Sequence, residues 1–251
     1  MKVIVCQNYQ HLSDYAKDKV IEVINSKEKP VLGLATGSTP EGMYQALIEA
    51  YKDNKVSFKN VTTFNLDEYI GLKKEDPNSY QHFMDEHFFN HVDIDQSETY
   101  LPPGNTSDHQ QACLDYEKNM HQHDDIDLQV LGVGINGHIG FNEPGTDFDT
   151  RTHVIELDAS TREANARFFD SLDEVPTHAI TMGIATIMES KQIILMASGD
   201  SKKEAVKRLM EGDITPDFPA SVLHRHPHVT VVLDREAASL LTDDQIDHVL
   251  D

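Results

Sequence analysis

Leu131–Gly145 carries five glycines in 15 residues, with Asn136, His138, Asn142 and Glu143 set between them. Glycine lets a backbone fold tightly enough to present several polar side chains to one point. A histidine titrates near neutral pH, and a nearby carboxylate can orient it and hold it charged. His138 with Glu143 is therefore a candidate acid/base pair, and a structural histidine in a glycine-rich turn is the alternative. Asn65-Leu66-Asp67-Glu68-Tyr69 sets two adjacent carboxylates just past an apolar run, where a general base could face a cleft. Carboxylates that are merely solvated, or that cap the following helix, compete with that reading.

Two segments have the chemistry of an anion site. Thr36-Gly37-Ser38-Thr39-Pro40 follows an apolar run and opens a helical pattern, so its N–H groups and hydroxyls should point at whatever occupies the helix start. A Ser/Thr-rich capping turn would look the same. The segment is not a Walker A loop and lacks GxGxxG, which disfavours a nucleoside triphosphate. Ser198-Gly199-Asp200-Ser201-Lys202-Lys203 repeats the arrangement with lysine added. Arg162 and Arg167 are further cations, although Arg167 could simply pair with Glu163 on a helix surface. His224, His226 and His228 alternate as metal ligands on one strand face would, but Pro227 interrupts them, and a local turn accounts for them better. No metal is called for.

These residues need a scaffold. In 251 residues, short apolar runs alternate with amphipathic stretches, as strands and crossover helices do in a mostly parallel sheet. Strands are expected at 3–6, 31–35, 61–65, 128–133, 154–157, 179–181, 193–197 and 229–233. Helices are expected at 13–26, 40–52, 79–90, 108–121, 161–170, 183–189, 201–211 and 235–241. The expected class is a three-layer α/β/α, doubly wound, mostly parallel sheet in one domain over 1–251. Loops after residues 35, 65 and 133 should converge beyond the carboxyl ends of their strands. The 43 acidic against 21 basic residues, a net charge of -22, argue against a nucleic-acid partner. Two cysteines suit a reducing, cytoplasmic setting, and the chain shows neither a secretory leader pattern nor a membrane-spanning run.

Taken together, LATGSTPEGMY (34–44), FNLDEYIGL (64–72), GVGINGHIGFNEPGT (132–146), TREANARFF (161–169) and the region from THAITMG (177–183) to SGDSKKEA (198–205) resemble the glucosamine-6-phosphate deaminase (isomerase) family, in order and spacing over nearly the whole chain. The resemblance implies a modified doubly wound fold, no organic cofactor, and conversion of glucosamine 6-phosphate and water to fructose 6-phosphate and ammonia. It implies that Asp67 moves a proton between C2 and C1. His138 would open the ring, supported by Glu143 and Asn136. Gly37, Ser38, Thr39, Arg167 and Lys202 would hold the phosphate. The segment from about 157 to 180, which contains Arg167, is read as a lid, with a rigid crossover helix as the alternative. Some relatives carry Asp where Asn136 stands, so a lower His138 pKa is expected here. Residues 151–156 and the chain's end at Asp251 imply weak or absent activation by N-acetylglucosamine 6-phosphate. A 6-phosphogluconolactonase-like hydrolase and a catalytically inactive sugar-phosphate sensor are the competing functions, and whether the chain is a monomer or a homo-oligomer stays open.

Overall fold

The computed structural model describes residues 1–157, 162–163, 166, 169 and 171–250. Eight strands form one parallel sheet: β1 (Lys2–Cys6), β2 (Val31–Leu34), β3 (Thr62–Asn65), β5 (Thr99–Tyr100), β6 (Leu128–Gly132), β9 (Ile193–Ala197), β10 (Val229–Asp234) and β11 (His248–Leu250). Their order across the sheet is β11-β1-β10-β9-β6-β2-β3-β5. The longer strands read as unbroken apolar runs because both faces are covered. Val3, Val5, Phe64, Leu131, Leu195 and Val231 face one core, which is closed by Tyr116 and Met120 of α4 (His109–Gln122) and by Val206 and Leu209. Ile4, Leu32, Leu34, Val130, Ile194 and Val232 face the other, closed by α1 (Tyr9–Ser26), α2 (Ser38–Lys52) and Met84 of α3 (Tyr80–His87). The expected three-layer α/β/α arrangement is therefore what forms.

The strand order explains why the polar loops meet. β9, β6, β2 and β3 are consecutive neighbours, so the loops leaving their carboxyl ends emerge side by side. From β2 the chain builds outward through β3 and β5, and from β6 it builds the other way through β9 and β10. The reversal falls between β2 and β6, and a crevice opens at such a point.

A second, antiparallel sheet stands over this edge: β4 (Asp67–Tyr69), β8 (His178–Thr181) and β7 (His153–Glu156). The segments near 154–157 and 179–181 are strands as expected, but they belong to this smaller sheet. β7 alternates between half-buried and exposed residues because only one of its faces is covered. β4 reads as a loop in sequence because three residues are too few to show a period. β5 and β11 escape notice for the same reason. Helix α1 begins earlier than the apolar spacing suggests: Asn8 caps it by accepting from the His11 N–H at 3.0 Å, and Ser13 is buried inside the helix. The helix expected at 235–241 is a run of turns, started by Asp234, whose carboxylate accepts the Ala237 N–H at 2.8 Å. Most of the helix expected at 161–170, with Arg167, lies outside the described residues.

Candidate active site

Each anchor of the site stands on its own element. Strand β3 ends at Asn65, and the chain turns through Leu66 directly into β4, where Asp67 pairs with Thr181 of β8. The Asp67 side chain is only 7% exposed. Among the described residues no hydrogen-bond donor reaches its carboxylate, so burial, aided by the negative charge of Glu68, pushes its pKa from 3.8 up to about 8. Glu68 has the opposite fate. Its carboxylate accepts the N–H groups of Tyr69, Tyr80 and Gln81 at 2.8, 3.0 and 2.9 Å, satisfying the first turn of α3. The two readings of this acidic pair are thus divided between its members. Glu68 caps a helix, and Asp67 faces the crevice.

The loop after β6 folds back on itself. Gly134 N–H donates to His138 O at 2.9 Å, and a Cβ on Gly134 would lie 2.2 Å from His138 Nδ1, so only glycine lets the imidazole fold against the backbone. His138 Nδ1 faces Asn136 Oδ1 at 2.8 Å, while Asn136 Nδ2 donates to Glu143 Oε2 at 2.8 Å. Glu143 accepts, so it fixes which way the amide points. The amide oxygen accepts in turn, so it fixes the Nδ1–H tautomer and leaves Nε2 as the proton-accepting nitrogen. The direct His138–Glu143 separation is 3.7 Å. Burial lowers the His138 pKa, outweighing the attraction of Glu143, with Lys202 lowering it further. The carboxylate therefore orients the ring through Asn136 and does not hold it charged, which corrects one expectation.

Past His138 the backbone carries Gly140 at φ +57°, and a Cβ there would sit 3.0 Å from Thr181 Oγ1 and 3.6 Å from Asp67 Oδ2. The histidine loop and the aspartate strand therefore touch. Asn142 secures the loop by donating from Nδ2 to Ile139 O and Met182 O, each at 2.9 Å.

The third anchor is cationic. Asp234, at the end of β10, accepts from the Ser198 hydroxyl and from the Gly199 N–H at 2.9 Å, and so holds the turn that leads to Lys202. Lys202 Nζ donates to Val133 O at 2.8 Å, and burial lowers its pKa. Helix α2 starts at Ser38 with no side-chain capping bond, which leaves its first N–H groups available to a ligand. These elements line one cavity of about 650 Å³ that includes Gly37, Ser38, Thr39, Asp67, His138 and Lys202. Asn136 lines it too, and Tyr69, Tyr80, Phe83, Phe141 and Phe169 form its aromatic wall. Glu143 stands behind Asn136. These aromatics went unnoticed in the sequence, although Tyr69, Tyr80 and Phe141 flank the acidic pair and the glycine-rich loop.

Other candidates are engaged elsewhere. Arg162 donates to Leu172 O and Val175 O at 3.0 and 3.1 Å, and Lys203 pairs with Asp200 at 2.7 Å. His226 Nε2 donates to Ser190 O at 2.7 Å, and its Nδ1 accepts the His228 N–H at 3.1 Å, as a turn requires. Among the described residues no group of three or more His, Cys, Asp or Glu side chains could hold a metal ion. Arg151 is committed to Glu189 through a bidentate pair and to Glu117 at 3.4 Å.

A family model for glucosamine-6-phosphate isomerases/6-phosphogluconolactonase matches residues 7–232. The chain belongs to this family. A glucosamine-6-phosphate deaminase of Oceanobacillus iheyensis is 55% identical over 237 residues, covering 94% of this chain and 95% of its own. Glucosamine-6-phosphate deaminase 1 of Bacillus subtilis is 54% identical over 240 residues, covering 96% and 99%. A solved structure of a monomeric glucosamine-6-phosphate deaminase superposes with a TM-score of 0.94 at 54% identity over 96% of this chain and all of that one. Family members of the other kind are more distant. The 6-phosphogluconolactonase of Trypanosoma cruzi has a TM-score of 0.74 at 20% identity, covering 96% and 97%, and shares the fold. Among the described residues no helix is long and apolar enough to cross a membrane.

Proposed function

We propose that the chain converts glucosamine 6-phosphate and water to fructose 6-phosphate and ammonia, an aldose–ketose isomerisation coupled to hydrolytic deamination. The observation that carries this reading is the meeting of a desolvated carboxylate, Asp67, with a tautomer-fixed imidazole, His138, in the cavity that Lys202 and the open start of α2 make anion-accepting. The relatives with half of their residues identical bear the same activity in their names.

The chemistry follows from the groups. The closed sugar has no carbonyl, so His138 Nε2 first takes the C1 hydroxyl proton and returns one to the ring oxygen. The opened aldehyde acidifies the C2 proton. Asp67 in its ionised form removes that proton, the electron pair left at C2 forms the C1=C2 double bond, and the C1 oxygen takes a proton from the substrate ammonium, giving an enolamine. Asp67 then delivers the proton to C1, giving an imine at C2, and water adds to the imine and expels ammonia. A carboxyl titrating near 8 is a far better proton acceptor than an ordinary aspartate, and a protonated substrate amine nearby would favour its ionised form. Ser38, Thr39, Gly37, Lys202 and, from outside the described residues, Arg167 would hold the phosphate and keep the sugar in register. The segment about 157–180, which contributes Phe169 to the wall, would serve as the lid. The reading takes residues 1–251 as one catalytic domain in a cytoplasmic setting, which suits the free, buried thiols of Cys6 and Cys113.

Ammonia release from glucosamine 6-phosphate, measured beside hydrolysis of 6-phosphogluconolactone, tests the assignment. Ammonia release with no lactone hydrolysis is expected. The reverse result would reassign the chain to the lactonase branch, and inactivity on both would favour the sensor reading.

A further inference from the structure

Tyr9, the first residue of α1, plays no part in the chemistry above, yet its hydroxyl reaches into the start of α2. The oxygen accepts the Gly42 N–H at 2.8 Å and lies 2.9 Å from Ser38 O and 3.1 Å from Thr39 O, either of which takes its proton. Ser38 O and Gly42 N–H stand four residues apart, and they are the pair that an α-helix joins directly. α2 runs as regular helix from Ser38, and the phenol, hydrogen-bonded to both ends of its first turn, ties that turn to α1. The same contact accounts for glycine inside a helix, where it costs about 1 kcal/mol relative to alanine. A Cβ at Gly42 would fall 2.4 Å from Ser13 Oγ and 2.9 Å from Tyr9 Cε1. Helix α1 therefore approaches the start of α2 closely, and the Tyr9 ring lies between them.

We propose that Tyr9 is a positioning residue for phosphate recognition: its hydroxyl, bridging Ser38 O and Gly42 N–H, aims the first N–H groups of α2 into the cavity. The inference rests on reading the Gly37–Thr39 turn as the phosphate site. Without the phenol the first turn loses its tie to α1, and the N–H groups at residues 38 and 39 are no longer held toward the anion. Asp67 and His138, held by β4 and by the loop after β6, stay where they are.

The test is Tyr9→Phe, read by steady-state ammonia release from glucosamine 6-phosphate and by calorimetric titration with inorganic phosphate. The loss of one bridging hydroxyl should raise KM and the phosphate dissociation constant together, by roughly three- to tenfold, with kcat within twofold and the pH profile unmoved. Gly42→Ala, which displaces the same ring from the other side, should give the same signature. Unchanged phosphate affinity in Tyr9→Phe would overturn the proposal, as would a fall in kcat at constant KM or a wild type that binds no phosphate. A wild type that releases no ammonia, with phosphate affinity still falling in the variant, would refute the proposed reaction and leave the role of Tyr9 standing.

Discussion

Replacing Asp67 by asparagine should stabilise the folded protein at neutral pH while removing its activity. The carboxyl group has its pKa raised from 3.8 to about 8 by burial and then by the charge of Glu68. Between those values the folded protein holds a proton that the unfolded chain releases, so this group's contribution to stability falls as pH rises through the window. At roughly 1.4 kcal/mol per pH unit, the penalty reaches about 4 kcal/mol at pH 7. Asparagine removes the titration, but its amide enters a place where, among the described residues, no hydrogen-bond partner stands ready, which returns about 1–3 kcal/mol. The variant should be more stable than wild type by about 1–3 kcal/mol at pH 7, which for a chain of this size raises Tm by roughly 2–10 °C. The advantage should grow toward pH 8 and turn into a deficit near pH 4. Urea unfolding of both proteins at several pH values from 4 to 8 reads the difference directly. A difference constant across that range would mean that Asp67 titrates as an ordinary carboxylate, and the account of its environment would fail. Ammonia release should fall by roughly 10²- to 10⁴-fold, the usual range for a lost general base.

Other perturbations follow from the same geometry. In the free enzyme kcat/KM should rise with pH through the ionisation of Asp67, and Glu68→Gln, which removes the negative neighbour, should move that limb to lower pH while lowering Tm because the start of α3 loses part of its cap; an unmoved limb would contradict the coupling. Asn136→Asp should raise the His138 pKa by only about half a unit to one unit, because the new carboxylate meets Glu143 at hydrogen-bond distance and the pair keeps one proton between them; no change in the His138 titration followed by NMR would count against this. Asp234→Asn leaves one accepting oxygen where two now hold the turn before Lys202, so KM should rise roughly three- to tenfold with kcat little changed; a fall in kcat alone would place the residue elsewhere in the mechanism.

Much of this arrangement was legible in the sequence, for identifiable reasons. Strands buried on both faces leave unbroken apolar runs, so the main sheet could be read from β1, β2, β6, β9 and β10. The density of glycine around His138 marked a loop whose backbone had to fold tightly, and Gly134 lies against the imidazole for that reason. Local patterns could not separate Asp67 from Glu68, since both follow the same strand, and the difference depends on α3 arriving twelve residues after Glu68 with N–H groups for one of them. The role of Asn136 as a link between His138 and Glu143 depends on side-chain directions within a turn. Lys202 and Lys203 look alike in sequence, and they diverge because the turn held by Asp234 points one inward to Val133 and the other outward to Asp200. Tyr9 lies before the helix expected at 13–26, and nothing marks it until α1 is seen to start there and α2 is packed against it.

The central claim is that Asp67 is the base at C2 while His138 opens the ring. Proton NMR of glucosamine 6-phosphate in D₂O with the Asp67→Asn variant separates the two roles in one sample. The account predicts that the variant still accelerates interconversion of the two anomers while the C2 proton signal persists undiminished. Loss of that signal at the wild-type rate would show that another group takes the proton, and would contradict the mechanism.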